Sequence, residues 1–314
     1  MRDARKHNVG KGLRRRGRLL AEALRPPQRT GGTVPGRVPS HGSPARTRAE
    51  GGAKAADDSA PAPKKGEYVA PRATRLVESP VFLLSPVRSG STLLRVLLNS
   101  HTQIRAPHEM HLRTVHVRMS RDFTPKAMRE LELDRSELEH LLWDRILHLE
   151  LERTGKSVVV DKTPANTFVW RRLHESWPDA RYLFLLRDPA AIVTSLVNRR
   201  QDPDLEQIHT EVTRYTERLE EARQKLDGLT VRYEELTAEP EKVTRSICDH
   251  LGVEWEAGML DYGTHDHGTF RPHIGDWSSN IRSGRIQPAR TESGVELPPR
   301  LERIAEKWGY RADG

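Results

Sequence analysis

Residues Val81 to Ser100 read VFLLSPVRSGSTLLRVLLNS. A short apolar run, a turn built on Pro86 and Gly90, and a second run of apolar-periodic residues spell strand, tight loop and helix. In that layout the backbone N–H groups at the helix N-terminus face the loop and can hold a phosphate. Ser89, Ser91 and Thr92 add hydroxyls there, and Arg88 adds a cation. The helix carries Leu93, Leu94, Val96, Leu97 and Leu98, is apolar on most faces and is expected to be buried.

The same alternation continues outward from this stretch. Tyr68 to Pro80 is an extended lead-in to a strand at Val81 to Ser85. After a proline turn, a helix is possible beyond Pro107. Ser136 with Glu139 forms a capping box for a helix reaching Arg153. A strand at Ser157 to Val160 then runs into Asp161, Lys162, Thr163 and Pro164. Tyr182 to Leu186 is a continuous apolar strand ended by Arg187, with Asp188 capping a helix that has Pro189 at its first position. Asp204 to Leu226 has apolar residues three and four apart and predicts a long amphipathic helix. A strand at Leu229 to Tyr233, a helix from Pro240 to Leu251 stopped by Gly252, and a last helix at Pro299 to Trp308 complete the pattern. Short strands alternating with longer helices predict one α/β domain over residues 67–314, a three-layer parallel sheet with helices on both faces.

Residues 1–66 differ from the rest. They hold 16 Lys or Arg against 5 Asp or Glu, with 17 Gly or Pro and almost no apolar clustering. Such a segment cannot bury enough surface to offset its ordering entropy, and we expect a disordered basic tail. Its Arg14 to Arg18 cluster suits anionic lipid, RNA or an acidic partner, but equally a solvated extension or a start assigned too far upstream. The formal charge of +8 belongs to this tail, because residues 67–314 carry 36 basic and 39 acidic groups, a net of −3. A nucleic-acid-binding domain is therefore not expected. Only Leu19 to Leu24, interrupted by Glu22, follows the arginines, so no export signal core is read. No run of about 18 apolar residues predicts a membrane span. The single cysteine, Cys248, reads as a buried helix residue and fits a reducing, cytoplasmic setting.

Against the nucleotide-triphosphate loop G-x-x-x-x-G-K-[ST], Ser85 replaces the first glycine and Ser91 the lysine. No strand is expected to end in an acidic residue placed for magnesium. Lysine and metal manage a γ-phosphate, so a kinase or ATPase is disfavoured and a P-loop-like fold with other chemistry remains. The loop resembles that of sulfotransferases using 3′-phosphoadenosine 5′-phosphosulfate (PAPS), P-[RK]-[ST]-G-[ST]-[ST], here PVRSGST with Val87 as an extra residue. The second element of that family, Arg-Asp-Pro followed by a serine for the 3′-phosphate, is matched by Arg187, Asp188, Pro189 and Ser195.

The resemblance implies PAPS as co-substrate without a metal. Its 5′-phosphosulfate would lie on Arg88, Ser89, Gly90, Ser91 and Thr92, and its 3′-phosphate on Arg187 and Ser195. Arg199, one turn beyond Ser195, is a second cation for that phosphate. Tyr233 resembles the tyrosine lining the nucleotide site, and buried strand packing is its rival reading. In Trp277 to Ile286, Ser279 and Arg282 resemble residues of the segment that closes over the nucleotide. The protein-tyrosine branch has a glutamate and a lysine in places that resemble Glu109 and Lys162. The resemblance makes Glu109 the general base, with His108, His111 and His116 as rivals, and gives Lys162 and Arg88 the leaving phosphate. The expected reaction moves a sulfuryl group to a hydroxyl, or an amine, of a small-molecule acceptor. A phosphotransferase with a degenerate loop and a non-catalytic nucleotide-binding module remain the alternatives, and oligomeric state is unread.

Overall fold

The computed structural model describes residues 74–268, 279–289 and 295–311. The basic segment 1–66 and residues Trp277 and Ser278 lie outside them. The strands and helices among the described residues belong to the unit Glu67–Gly314.

Five strands form one sheet: β1 (Val81–Leu84), β2 (Ile104–Arg105), β3 (Val158–Asp161), β4 (Arg181–Leu186) and β5 (Leu229–Arg232). Their order is β2-β3-β1-β4-β5 and every pair is parallel. The helices among the described residues are α1 (Ser91–Asn99), α2 (Thr124–Glu130), α3 (Arg135–Thr154), α4 (Trp170–Ser176), α5 (Pro189–Val197), α6 (Leu205–Lys225), α7 (Tyr233–Ala238), α8 (Pro240–Leu251), α9 (Ser279–Arg282) and α10 (Pro299–Lys307).

Alternate side chains of each strand enter different cores, as the period-two geometry requires. Val81 and Leu83 pack with α1 and with Leu236, Ile247 and Leu251 of α7 and α8. Phe82 and Leu84 pack on the opposite face with Trp143 and Leu147 of α3, Trp170 and Leu173 of α4, and Leu219 of α6. The three-layer α/β architecture expected from sequence is therefore what the chain adopts. Burial on both faces explains why β1 and β4 read as unbroken apolar runs.

Several local expectations change. α3 is capped by Asp134, whose side chain accepts from Glu137 N–H, and Ser136 lies inside the helix. Between Pro107 and Ser120 no α-helix forms; a single 3₁₀ turn at Leu112–Thr114 lies there, and β2 precedes it. Tyr233 opens α7 instead of closing β5. β3 ends in Asp161, so a strand beside β1 does carry an acidic end, contrary to the sequence reading. Thr163 Oγ1 donates to its Oδ1 at 2.9 Å and Asn166 Nδ2 to its Oδ2 at 2.7 Å. Burial, opposed by these donors, pushes the Asp161 carboxyl up.

Candidate active site

Parallel strands bring all their C-terminal ends to one edge, where open α/β sheets bind ligands. At that edge β1 delivers residues 85–90, β3 delivers Lys162, β4 delivers Arg187, and β5 delivers Tyr233. Gly90 precedes α1 at φ 83°, no side chain caps the helix, and its first turn holds no acidic residue. Ser85 and Ser89 are buried, and among the described residues neither hydroxyl has a hydrogen-bond partner. Buried hydroxyls beside an uncapped helix N-terminus suit an anion accepting from both. The extra residue, Val87, packs against the apolar cluster that includes Ala190, Ile192 and Leu301. Arg88 takes up the turn at φ 62°.

The two phosphate elements meet. Arg187 Nη1 donates to the Arg88 carbonyl at 2.8 Å, and Arg88 Nε donates to Ser195 Oγ at 3.2 Å. The Arg187 guanidinium lies 4.7 Å from the centre of the Tyr233 ring, and that ring covers Gly90 so closely that a Cβ there would overlap it. Asp188 accepts from Ala190 N–H as the cap of α5 and pairs with Arg311 at 3.3 Å. Arg88, Ser89, Gly90, Ser91, Thr92, Arg187, Ser195 and Tyr233 thus share one edge. α5 ends at Val197, and Arg199 lies exposed in the turn that follows it. Arg282 ends α9 and is exposed; the side chain of Ser279 lies outside the described residues. α9 is held near the edge by Tyr262, whose hydroxyl donates to the Arg285 carbonyl at 3.0 Å.

Glu109 and Lys162 are in contact. Lys162 Nζ is 2.5 Å from Glu109 Oε1 and 3.5 Å from Thr92 Oγ1, which places the ammonium between the carboxylate and the first turn of α1. Lys162 is 1% exposed, and burial lowers its pKa while the Glu109 carboxylate opposes that shift. His111 Nε2 approaches the other oxygen of Glu109 at 3.5 Å. His116 is turned away to Glu139 on α3, 3.3 Å distant, and His108 is exposed. Sequence reasoning missed Arg95, a buried cation in the apolar run of α1 whose Nη1 donates to the Ala106 carbonyl at 3.2 Å. Its signal was present: a lone arginine in a helix otherwise read as apolar. Burial first, then Arg105, bring it down to about 10, with Glu109 opposing. Among the described residues no cluster of three His, Cys, Asp or Glu is placed to hold a metal ion, and no helix is long and apolar enough to cross a membrane.

A family model described as "Sulfotransferase family" matches residues 80–257. Nodulation protein NoeE of Sinorhizobium fredii (strain NBRC 101917 / NGR234) is 35% identical over 126 residues, which is 37% of this chain and 30% of that protein. Protein-tyrosine sulfotransferase 1 of Danio rerio is 24% identical over 202 residues, 58% of this chain and 55% of the relative. The chain therefore spans about a third to about half of these curated relatives. The sulfotransferase domain of the Synechococcus PCC 7002 olefin synthase superposes with a TM-score of 0.60 at 22% identity, covering 79% of this chain and 100% of that one. The sulfotransferase domain of the curacin biosynthetic pathway gives 0.57 at 23%, covering 76% and 99%. Those two likenesses speak to the fold, and the family model spans every residue of the edge from the Ser85 loop to Tyr233. The chain belongs to the sulfotransferase family.

Proposed function

We propose that the protein moves a sulfuryl group from PAPS to the hydroxyl, or less readily the amine, of a small-molecule acceptor. The observation that carries this reading is the junction of Arg187, Arg88 and Ser195, which joins two anion-facing elements into one surface. One phosphate at the α1 N-terminus and a second against Arg187 and Ser195 match a nucleotide phosphorylated on both sides of its ribose. The residues present fit that ligand, since the orphaned Ser85 and Ser89 hydroxyls and two guanidiniums can all donate to an anion.

In the proposed step the acceptor oxygen attacks sulfur in line, forming a new S–O bond. The S–O bond to the 5′-phosphate breaks and its electron pair leaves on adenosine 3′,5′-bisphosphate. Glu109 takes the acceptor proton. Lys162 lies between Glu109 and the α1 N-terminus, so arrival of the negatively charged phosphosulfate draws its ammonium towards the bridging oxygen. The same movement loosens the ion pair on Glu109 and makes that carboxylate the better base. Lys162, Arg88 and the loop N–H groups then meet charge as it develops on the leaving phosphate.

Titration calorimetry with adenosine 3′,5′-bisphosphate against ATP tests the reading directly. Preference for the bisphosphate is expected, and preference for ATP would sink the proposal in favour of phosphoryl transfer.

A further inference from the structure

Arg95 and Asn99 stand one turn apart on α1 and hold opposite sides of Ala106. Arg95 Nη1 donates to the Ala106 carbonyl at 3.2 Å, and Asn99 Oδ1 accepts from the Ala106 N–H at 3.1 Å. All three residues are buried. A buried arginine and a buried asparagine are costly in a helix that otherwise feeds an apolar core, and hydrogen bonding offsets that cost. Asn99 is bonded further: its Oδ1 also accepts from Arg105 Nη1 at 3.3 Å, and its Nδ2 donates to the Asp266 carbonyl at 3.3 Å.

Ala106 begins the segment that carries Glu109. Pro107 follows, and its ring fixes φ, so the orientation of the Ala106 peptide is passed on to residues 108 and 109. The segment is tied again at His111, whose N–H donates to Thr163 Oγ1 at 3.3 Å beyond β3. Glu109 therefore projects from a short span pinned to α1 at one end and to the β3 loop at the other. The first pin is itself rigid, because Lys156 Nζ donates at 2.9 Å to each of the Asn99, His101 and Ile104 carbonyls. Arg95 also lies near enough to Glu109 for each charge to act on the other.

We infer that Arg95 and Asn99, by holding the two peptide units that flank Ala106, set Glu109 in register against Lys162, which makes them positioning residues for the base. One helix then supplies the phosphate-binding N-terminus at Ser91 and Thr92 and, two turns on, the placement of the proton acceptor. The functional meaning of this clamp rests on the reading of Glu109 as general base.

The test uses the full-length chain and a readout independent of turnover: acetylation of Lys162 by N-hydroxysuccinimidyl acetate at fixed pH, followed by mass spectrometry. With Glu109 in place Lys162 is paired and covered. Asn99→Leu and Arg95→Met are each expected to raise its acetylation rate on the order of tenfold, towards that of Glu109→Gln, as expected for losing a buried hydrogen bond. Asn99→Asp keeps an acceptor for the Ala106 N–H and is expected to stay near the wild-type rate. Acetylation of Lys156, which precedes β3 and donates to the Asn99, His101 and Ile104 carbonyls, reports in the same samples whether the turn after α1 has itself come apart. Wild-type labelling of Lys162 in Asn99→Leu and Arg95→Met overturns the inference, as does a joint rise at Lys156 and Lys162. Equal labelling in Asn99→Asp and Asn99→Leu also overturns it. Failure of the base reading looks different: full turnover in Glu109→Gln with the labelling pattern intact.

Discussion

Arg187 Nη1 donates to the carbonyl of Arg88, a residue held at φ 62°, so the cation that ends β4 supports the loop that ends β1. A non-glycine residue in the left-handed region costs on the order of 1–3 kcal/mol, and a hydrogen bond from a charged donor contributes about as much. The strained turn and the guanidinium therefore stand or fall together. With its carbonyl held, Arg88 sends its side chain to Ser195, and the two anion-facing elements become one surface.

Replacing the guanidinium breaks both functions. Arg187→Met is expected to weaken adenosine 3′,5′-bisphosphate binding on the order of 10²-fold, the range for truncating a buried charged partner. It should also weaken adenosine 5′-phosphosulfate, which has no 3′-phosphate, because the Arg88 turn loses its support. Calorimetry with the two ligands separates these effects. Unchanged affinity for the bisphosphate would remove Arg187 from the site.

Gly90 has two separate reasons to be glycine. Its φ is 83°, and an added Cβ would overlap Cδ2 and Cε2 of Tyr233. Gly90→Ala is expected to lower both folding stability and nucleotide affinity, the former by roughly 1–3 kcal/mol. Adding Tyr233→Ala relieves the overlap but not the backbone strain, so the double variant should recover only part of the loss. Chemical denaturation of the two variants checks this, and full recovery would show that sterics alone set the residue.

Glu109→Gln removes the charge that holds Lys162. Turnover of PAPS with any accepted hydroxyl compound should fall ~10²- to 10⁴-fold, the usual worth of a general base. Affinity for adenosine 3′,5′-bisphosphate should stay within a few fold. Stability should also drop, because Lys162 is left buried and unpaired, and Glu109→Gln with Lys162→Met should restore much of it. Wild-type turnover in Glu109→Gln would move the proton to His111, 3.5 Å from the same carboxylate.

How much of this was legible depends on what buries each residue. β1, β4, α5, α6 and α8 could be read from sequence because their apolar periodicity answers directly to the cores they enter. Gly252 at φ 69° and Asp188 at the start of α5 mark ends by local chemistry and were equally readable. β2 was not, since two residues, one of them charged, carry no period and pair only because β3 lies alongside. The capping box at Ser136 lost to Asp134, a choice between adjacent caps that local sequence leaves open. The site divides in the same way. Residues at strand ends were found because strand ends were found. Arg95, Asn99 and Asp161 bond to groups in the segments that follow their own elements, and helix or strand pattern says nothing of such partners.

Acid stability should depend on two glutamates remote from the site. Burial alone would raise Glu139, but hydrogen bonds from Arg172, Val117 N–H and Arg135 outweigh it and bring its pKa down to about 2. Glu220 is likewise brought to about 2, with burial opposed by Arg223, Lys307, Trp308 and Gln224. Lys307 and Trp308 among these partners tie α6 to the end of α10. Both folded values lie below the ordinary 4.5, so each contribution is complete above pH 4.5 and is lost as pH falls towards 2. Each is worth up to ~3 kcal/mol at pH 7, with less than about half remaining at pH 3. The stability gap between wild type and Glu220→Gln, measured by denaturant unfolding, should therefore narrow between pH 6 and pH 3. Glu139→Gln should behave in the same way, through the tie of α3 to Arg172 of α4. A gap that stays constant across that range would mean that these carboxylates are held no more tightly in the folded chain than in the unfolded one.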